Sequence, residues 1–580
     1  MTLRSLRPLA CLPLVAALAL AFAPTPAEAC GGTFCDGALG PNVMPVDQTG
    51  ENILFWIDHS GTEPHTEAHI QIQYEGDAEN FAWIIPVQQV PEVLVGNQAL
   101  FDNLLAATVP TFTITTNFQS CPDSGPSVGL CAFGNDAALA GDDEAGGSFS
   151  SGGDEAGDGT GGPEILDRGF AGAFEYVVLT GDSVQEIVDW LDMAGYAQDD
   201  DAPPILQEYL DDDFVFVAVK LRGGVDVDEI HPLAIRYPGV EPCIPIKLTR
   251  IAAVDDMAIR AFFLGESRAA PMNWPHIVVN PVRLDWVANP AVNYLEIVSL
   301  ALDEAGGRAF LTEYAGTDAI VSTNGVDSPA WDPTAFEAIE PVDVVDELIQ
   351  QGLGATCDDF AGTCVFPHPQ VEPLLAKYLP APANLNPYEF WGDLHAYEGL
   401  IDLAAWSGTG FATDFAERIS TPGQHAIEML ESASYLTRLM TLLSPHEMIE
   451  DPTFHETDSL PPVDNSTSAT RTIACEGNDW IDLADGRQIA LTDVANYPDI
   501  EGMPAVEIIE QIPAMGPPQV STDNRSKIDE LLAEWNHGQL EGPAPWNCSV
   551  VGLQAEALLT MLSLFGLAWL HRGRRRRISA

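Results

Sequence analysis

The chain ends in a mostly apolar run, from about residue 550 to Leu570, with His571-Arg572-Gly573 and Arg574, Arg575, Arg576 and Arg577 behind it. Such a run, about 20 residues at ~1.5 Å rise, is long enough for a helix to cross a bilayer core. The arginine cluster is predicted to stay on the cytoplasmic side. Everything before the run would then lie outside, and the compartment governs how the cysteines and the charge are read. The other end agrees. Arg4 and Arg7 precede an apolar stretch, Leu9 to Phe22, and Ala27-Glu28-Ala29 has the form of a cleavage site. The expected signal peptide is 1–29, cut between Ala29 and Cys30. Acylation of Cys30 is the weaker alternative, because Ala27 stands where a lipobox usually has Leu. Export of this kind calls on Sec-type machinery.

Composition narrows the partners. The chain has 580 residues and a formal charge of -62. Such an acidic body repels phosphate backbones, which argues against nucleic acid, and suits saline surroundings where screening acts over about 8 Å. An apolar fraction of 46% is enough to bury a substantial core. Leaving aside Cys11 and Cys548, eight cysteines remain, an even number in an oxidising compartment. Three pairs lie close together: Cys30 with Cys35, Cys121 with Cys131, and Cys357 with Cys364. Elimination then leaves Cys243 with Cys475, a bond that would tie the two halves of the body together.

Strands are predicted at Asn52–Asp58, Ala68–Tyr74, Phe81–Val87, Thr111–Asn117, Phe170–Leu179 and Phe214–Leu221, from alternation and β-branched content. Leu233–Tyr237, Ile244–Arg250 and Ile259–Leu264 follow at short intervals, which suggests an antiparallel meander. Helices are expected at Ala99–Ala107, Ser183–Met193, Val292–Glu304, Val342–Gln351, Val371–Tyr378 and, most clearly, Ile427–Leu443. Gly141–Gly162 holds nine glycines and six acids among 22 residues and reads as a flexible insertion. The expected class is α+β. A mostly antiparallel twisted sheet with packed helices occupies 30–378, a linker 379–387, and a smaller helical or irregular region 388–545. The segment 548–580 carries the single transmembrane helix.

Two resemblances follow from particular residues. Cys548-Ser549, Gly552, the apolar span and the terminal arginines resemble the MYXO-CTERM sorting tag of surface proteins. That resemblance implies a membrane protease cutting near Cys548 and display at the cell surface; a plain single-pass anchor is the alternative. The blocks Ala29-Cys30-Gly31-Gly32-Thr33-Phe34-Cys35, His69-Ile70-Gln71-Ile72-Gln73-Tyr74-Glu75-Gly76 and Phe81-Ala82-Trp83-Ile84-Ile85-Pro86-Val87 are distinctive. With Glu241-Pro242-Cys243-Ile244-Pro245-Ile246-Lys247-Leu248-Thr249 and Phe263-Leu264-Gly265-Glu266, they resemble the bacterial domain-of-unknown-function family numbered 2330. This implies a secreted envelope protein and carries no chemistry.

No catalytic constellation assembles. His65-Thr66-Glu67-Ala68-His69 lacks the order of a helical zinc motif, and on a strand its histidines lie ~13 Å apart, so a surface turn is expected. Gly265-Glu266-Ser267-Arg268-Ala269 brushes the nucleophile-elbow pattern, but Pro271 and Pro275 oppose the helix it needs, and a turn is expected. Asp226, Asp228 and Glu229 offer oxygen ligands to Ca²⁺, with His231 close by. No other cofactor is expected. Trp56, Trp83, Trp274, Trp286 and Trp391 sit in apolar contexts that favour packing over a sugar-binding strip. The expected role is a structural or interaction protein of the cell envelope rather than an enzyme. A carbohydrate- or calcium-binding module and an envelope hydrolase are the alternatives.

Overall fold

The computed structural model describes residues 50–60, 62–71, 82–119, 163–193, 202–222, 229–250, 253–287, 289–358, 363–475, 477–493 and 495–540. Both end segments, with Ala29, Cys30, Cys35, Cys548 and the arginine cluster, lie outside these residues, as do Cys121, Cys131 and the Gly-rich stretch 141–162. Among the described residues, no helix is long and apolar enough to cross a membrane.

The architecture is α+β, built on a ten-stranded sheet. In chain order its strands are β1 (Gly50–Asp58), β2 (His65–Gln71), β3 (Glu92–Val95), β4 (Leu233–Pro238) and β5 (Met257–Gly265). Then come β6 (His276–Val279), β7 (Phe310–Gly316), β8 (Tyr435–Leu443), β9 (Val506–Gln511) and β10 (Gln519–Asp523). Their spatial order is β10-β9-β6-β7-β8-β5-β1-β2-β4-β3. The sheet is mixed. β1 runs parallel to β5 and β6 parallel to β7, and the other seven ladders are antiparallel.

Both faces of the central strands are covered, so these strands read as apolar runs rather than as a half-solvated alternation. Ile53, Phe55 and Ile57 of β1 join one core with Phe263 of β5, and Leu54 and Trp56 join another. The rings of Phe55 and Phe263 stack at 5.3 Å. The first core is closed by a four-stranded antiparallel sheet, Ala82–Val87, Val215–Leu221, Phe174–Thr180 and Glu164–Ala171. Its outer residues Phe216 and Ala218 pack under the helices Val184–Met193 and Ala202–Asp211. On the opposite face of the large sheet lie α1 (Gln98–Thr108), α2 (Tyr294–Glu304) and, after α3 (Gly408–Phe415), α4 (Thr421–Ser432). A separate helical core, from Trp331 to Ile419, gathers Phe336, Leu348, Leu374, Trp391 and Phe415.

Several expectations are corrected. Ile427–Leu443 is not one helix: α4 ends at Ser432 and β8 begins at Tyr435, one residue after the N–H of Ser434 bonds to Gly265 O at 3.0 Å. An apolar run buried on both faces looks alike to helical and strand periodicity. Ile244–Arg250 holds a short helical turn, Ile246–Thr249, not a strand. The segment read as one strand at Phe170–Leu179 is the end of a hairpin that turns at Gly172 (φ 58°). The meander is also not found, because β1 and β2 stand between β4 and β5. Strands β8, β9 and β10, all beyond 379–387, belong to the same sheet as β1.

Candidate functional site: a buried carboxylate between two histidines

The polar residues of β2 are not at a turn. Alternation along the strand puts His65, Glu67, His69 and Gln71 on one face and Thr66, Ala68 and Ile70 on the other. Glu67 and His69 are buried, against the surface turn expected for this segment. Where β1 ends, Asp58 accepts from the N–H of Ser60 at 2.7 Å, and Asp58 pairs with His65 across the ladder.

Glu67 is the centre of the arrangement. Its Oε1 lies 2.7 Å from Nε2 of His69 and 2.7 Å from Nε2 of His425, which reaches in from α4. Its Oε2 accepts from Nε of Arg236 at 2.8 Å, the cross-strand partner on β4, with Nη2 also at 2.8 Å. Nη1 of the same arginine donates to Glu92 on β3 at 2.7 Å. Trp56, opposite Glu67 on β1, presents its ring edge-on to both His65 and His425. The rings of His69 and His425 lie nearly parallel, 6.3 Å apart.

Burial alone would raise the Glu67 carboxyl. The hydrogen bonds from His425 and His69, and their charges, outweigh it and hold the group well below the usual carboxylate range. His425 is raised in turn, chiefly by its hydrogen bond with Glu67, against the effect of burial. Because Oε1 only accepts, each histidine offers it an Nε2–H. Nδ1 of His69 is buried and has no hydrogen-bond partner among the described residues, a state that costs about 1–3 kcal/mol. It faces Gly96, where an added Cβ would come within 3.1 Å of it and 2.8 Å of Pro232 Cβ. Only glycine allows that approach.

A second buried cluster adjoins this one through Pro232. Pro232 O accepts from the N–H of Gly96 at 2.7 Å and from Nδ1 of His231 at 2.9 Å. Nε2 of His231 accepts from the N–H of Ala173 at 2.9 Å, so the ring is neutral with its proton on Nδ1. Burial pushes His231 down to about 4. Glu229, two residues earlier, pairs with Arg418 at 2.5 Å. Arg418 is almost wholly buried and lies on a single π-helical turn, Ala416–Ser420, between α3 and α4. A third buried glutamate, Glu313, pairs with Arg438 of β8 at 2.5 Å and accepts from Tyr294 Oη at 2.9 Å.

The other residues singled out by sequence fall as follows. Glu229 is engaged by a guanidinium, so its carboxylate is already neutralised; Asp226 and Asp228 lie outside the described residues. Cys357 and Cys364 are bonded across a two-stranded hairpin. The Cys243–Cys475 pairing is overturned: Cys243 is a free thiol, pushed up by burial, and Cys475 is disulfide-bonded elsewhere. Elimination failed because it assumed that every other bond closes a short loop. Within Gly265–Ala269 the chain turns at Glu266 and Ser267, whose N–H groups donate to Glu456 Oε1, and Arg268 and Ala269 open a short strand paired with Phe454–Thr457. Trp56, Trp274, Trp286 and Trp391 are buried, as expected for packing, and Trp83 is half-buried.

Residues 27–326 match a family described as an uncharacterized protein conserved in bacteria, DUF2330. The chain is a member of that family. No curated protein matches it, and neither does any solved structure. The DUF2330 segment supplies Glu67, His69, Arg236, Glu229 and Glu313, while His425, Arg418 and Arg438 come from beyond it. Sequence alone carried one usable signal for the site: the ionisable residues of β2 recur at every second position. Nothing in the sequence links Glu67 to His425, 358 positions away.

Proposed function

We propose that the protein is exported and tethered to the cell envelope by its C-terminal segment, with its body outside the cytoplasm serving as a structural or interaction module. The observation that carries this reading is the Cys357–Cys364 disulfide, joining paired residues of adjacent strands. Thiols in the cytosol are kept reduced, so such a bond belongs to an oxidising compartment. The leader-like N-terminus, the apolar tail with its arginine stop and the acidic body support the same reading. It includes Sec-type export and a membrane protease cutting near Cys548.

The test is alkylation of intact cells and of denatured protein, with and without reductant, followed by mass mapping of the mature ends. Cys357, Cys364 and Cys475 are expected to resist alkylation until reduced, whereas Cys243 becomes reactive on denaturation alone. Free Cys357 and Cys364 in the native protein would overturn export, and Arg577 retained on the surface-displayed form would overturn the sorting-tag version.

A further inference from the structure

We infer that Glu67, His69 and His425 form a binding site for one divalent transition-metal ion of the zinc class. Glu67 Oε1 and the two imidazole Nε2 atoms are the ligands, and a fourth position is left to water or a small ligand. This goes beyond the export reading and does not rest on it.

Convergence is the first argument. The three donor atoms lie within 4.8 Å of one another. Glu67 and His69 share a strand face two residues apart, and His425 closes the set from a helix on the same side of the sheet. Ligands at about 2.0–2.1 Å from a tetrahedral zinc stand about 3.3 Å apart. The present separations of 2.7 Å from Oε1 to each Nε2 must therefore open by about half an ångström. His425, whose side chain is 20% exposed, is the ligand placed to give way.

Donor chemistry is the second. Two imidazoles with one carboxylate do not suit Ca²⁺ or Mg²⁺, which take oxygen ligands, and they do suit zinc, cobalt, nickel or ferrous iron. The surroundings also fit. Arg236 holds the non-ligating Oε2, leaving Oε1 as the donor. Coordination through Nε2 requires each ring to give up its Nε2 proton, and Nδ1 of His425 faces Glu428 Oε2 at 3.6 Å, the carboxylate–histidine pairing that orients metal ligands. Trp56 walls the site on the β1 side. A second cluster, Asp343, Asp346 and His395, is half-buried to exposed; with two carboxylates and one imidazole, it provides an internal control.

The experiment titrates the full-length chain, purified without a polyhistidine tag and stripped with chelator, with Co²⁺ followed by visible absorption. The expected result is one equivalent per chain with the strong visible bands of low-coordinate Co²⁺, bleached by one equivalent of Zn²⁺. H69Q and H425Q should each weaken binding at least about tenfold, while H395Q leaves it unchanged. Circular dichroism and thermal melting establish which variants fold; should H69Q not fold, H425Q, altered at a partly exposed ring, decides alone. Absence of the bands in the wild-type chain overturns the site. So does a folded H425Q that binds as the wild type does, or loss of the bands in H395Q instead.

Discussion

The DUF2330 segment supplies three buried glutamates, and the stretch that follows it supplies a basic partner for each. Up to residue 326 the chain buries Glu67, Glu229 and Glu313. Each meets a basic side chain from the short stretch 418–438: His425, Arg418 and Arg438 respectively. A buried carboxylate without a partner is expensive, and continuum reasoning places the effective cost at several kcal/mol per ion. The two regions are therefore halves of one electrostatic unit rather than a domain with an appendage. The backbone says the same, because β8 lies between β5 and β7 of the earlier segment.

The comparison breaks most directly by cutting the chain. A chain ending at residue 326 loses β8 from the middle of the sheet and the outside basic partners of all three glutamates. It is expected not to fold, giving no cooperative thermal transition; a sharp melt near that of the full chain would show that the earlier segment stands alone.

A smaller intervention separates the three acids. Arg418→Met removes a buried guanidinium that pairs with Glu229 and lies near Asp414, and should cost about 3–5 kcal/mol in urea unfolding. His425→Ala, compared in metal-free buffer, should cost only about 1–2 kcal/mol, because Glu67 keeps Arg236 and His69. Equal losses would mean that the buried guanidinium matters no more than the partly exposed imidazole.

Acid should sharpen the picture further. His231 is held at about 4 by burial, below its ordinary value near 6.5, with Arg418 as the charged group facing it. A histidine depressed in the folded state contributes stability that is full above the unfolded value and is lost as pH falls toward the folded one. Stability should therefore drop by ~3 kcal/mol between about pH 6.5 and 4 from this group alone. His231→Gln should flatten that slope in denaturant titrations across the window. An unchanged slope would remove His231 as its source and point to the other histidines that burial lowers, His368, held at about 3, with His276 and His455.

Local patterning revealed a good part of the fold. The helix expected at Val371–Tyr378 is found with those bounds, and α1, α2, β1 and β4 lie within two residues of expectation. These elements depend on neighbours in sequence, where apolar spacing is a sufficient signal. The site was far less legible. In His65-Thr66-Glu67-Ala68-His69, motif order and strand spacing argued against a shared site, because a sequence gives no view of an arginine on the next strand or a histidine on a distant helix. The misreading of Ile427–Leu443 hid β8 and thereby Arg438. Cys243 was paired by counting, and counting has no geometry.

Alternation and composition by themselves determined the place of elements such as α1, α2, β1 and β4, and that enough apolar surface exists to bury them. Tertiary structure alone decided that β1 runs beside β5, that β8 enters between β5 and β7, and that three acids meet basic side chains from one later stretch. The physical reason is range. Backbone preference acts over a few residues, whereas desolvated charges are satisfied by whatever the completed sheet brings within 3 Å, however far away along the chain.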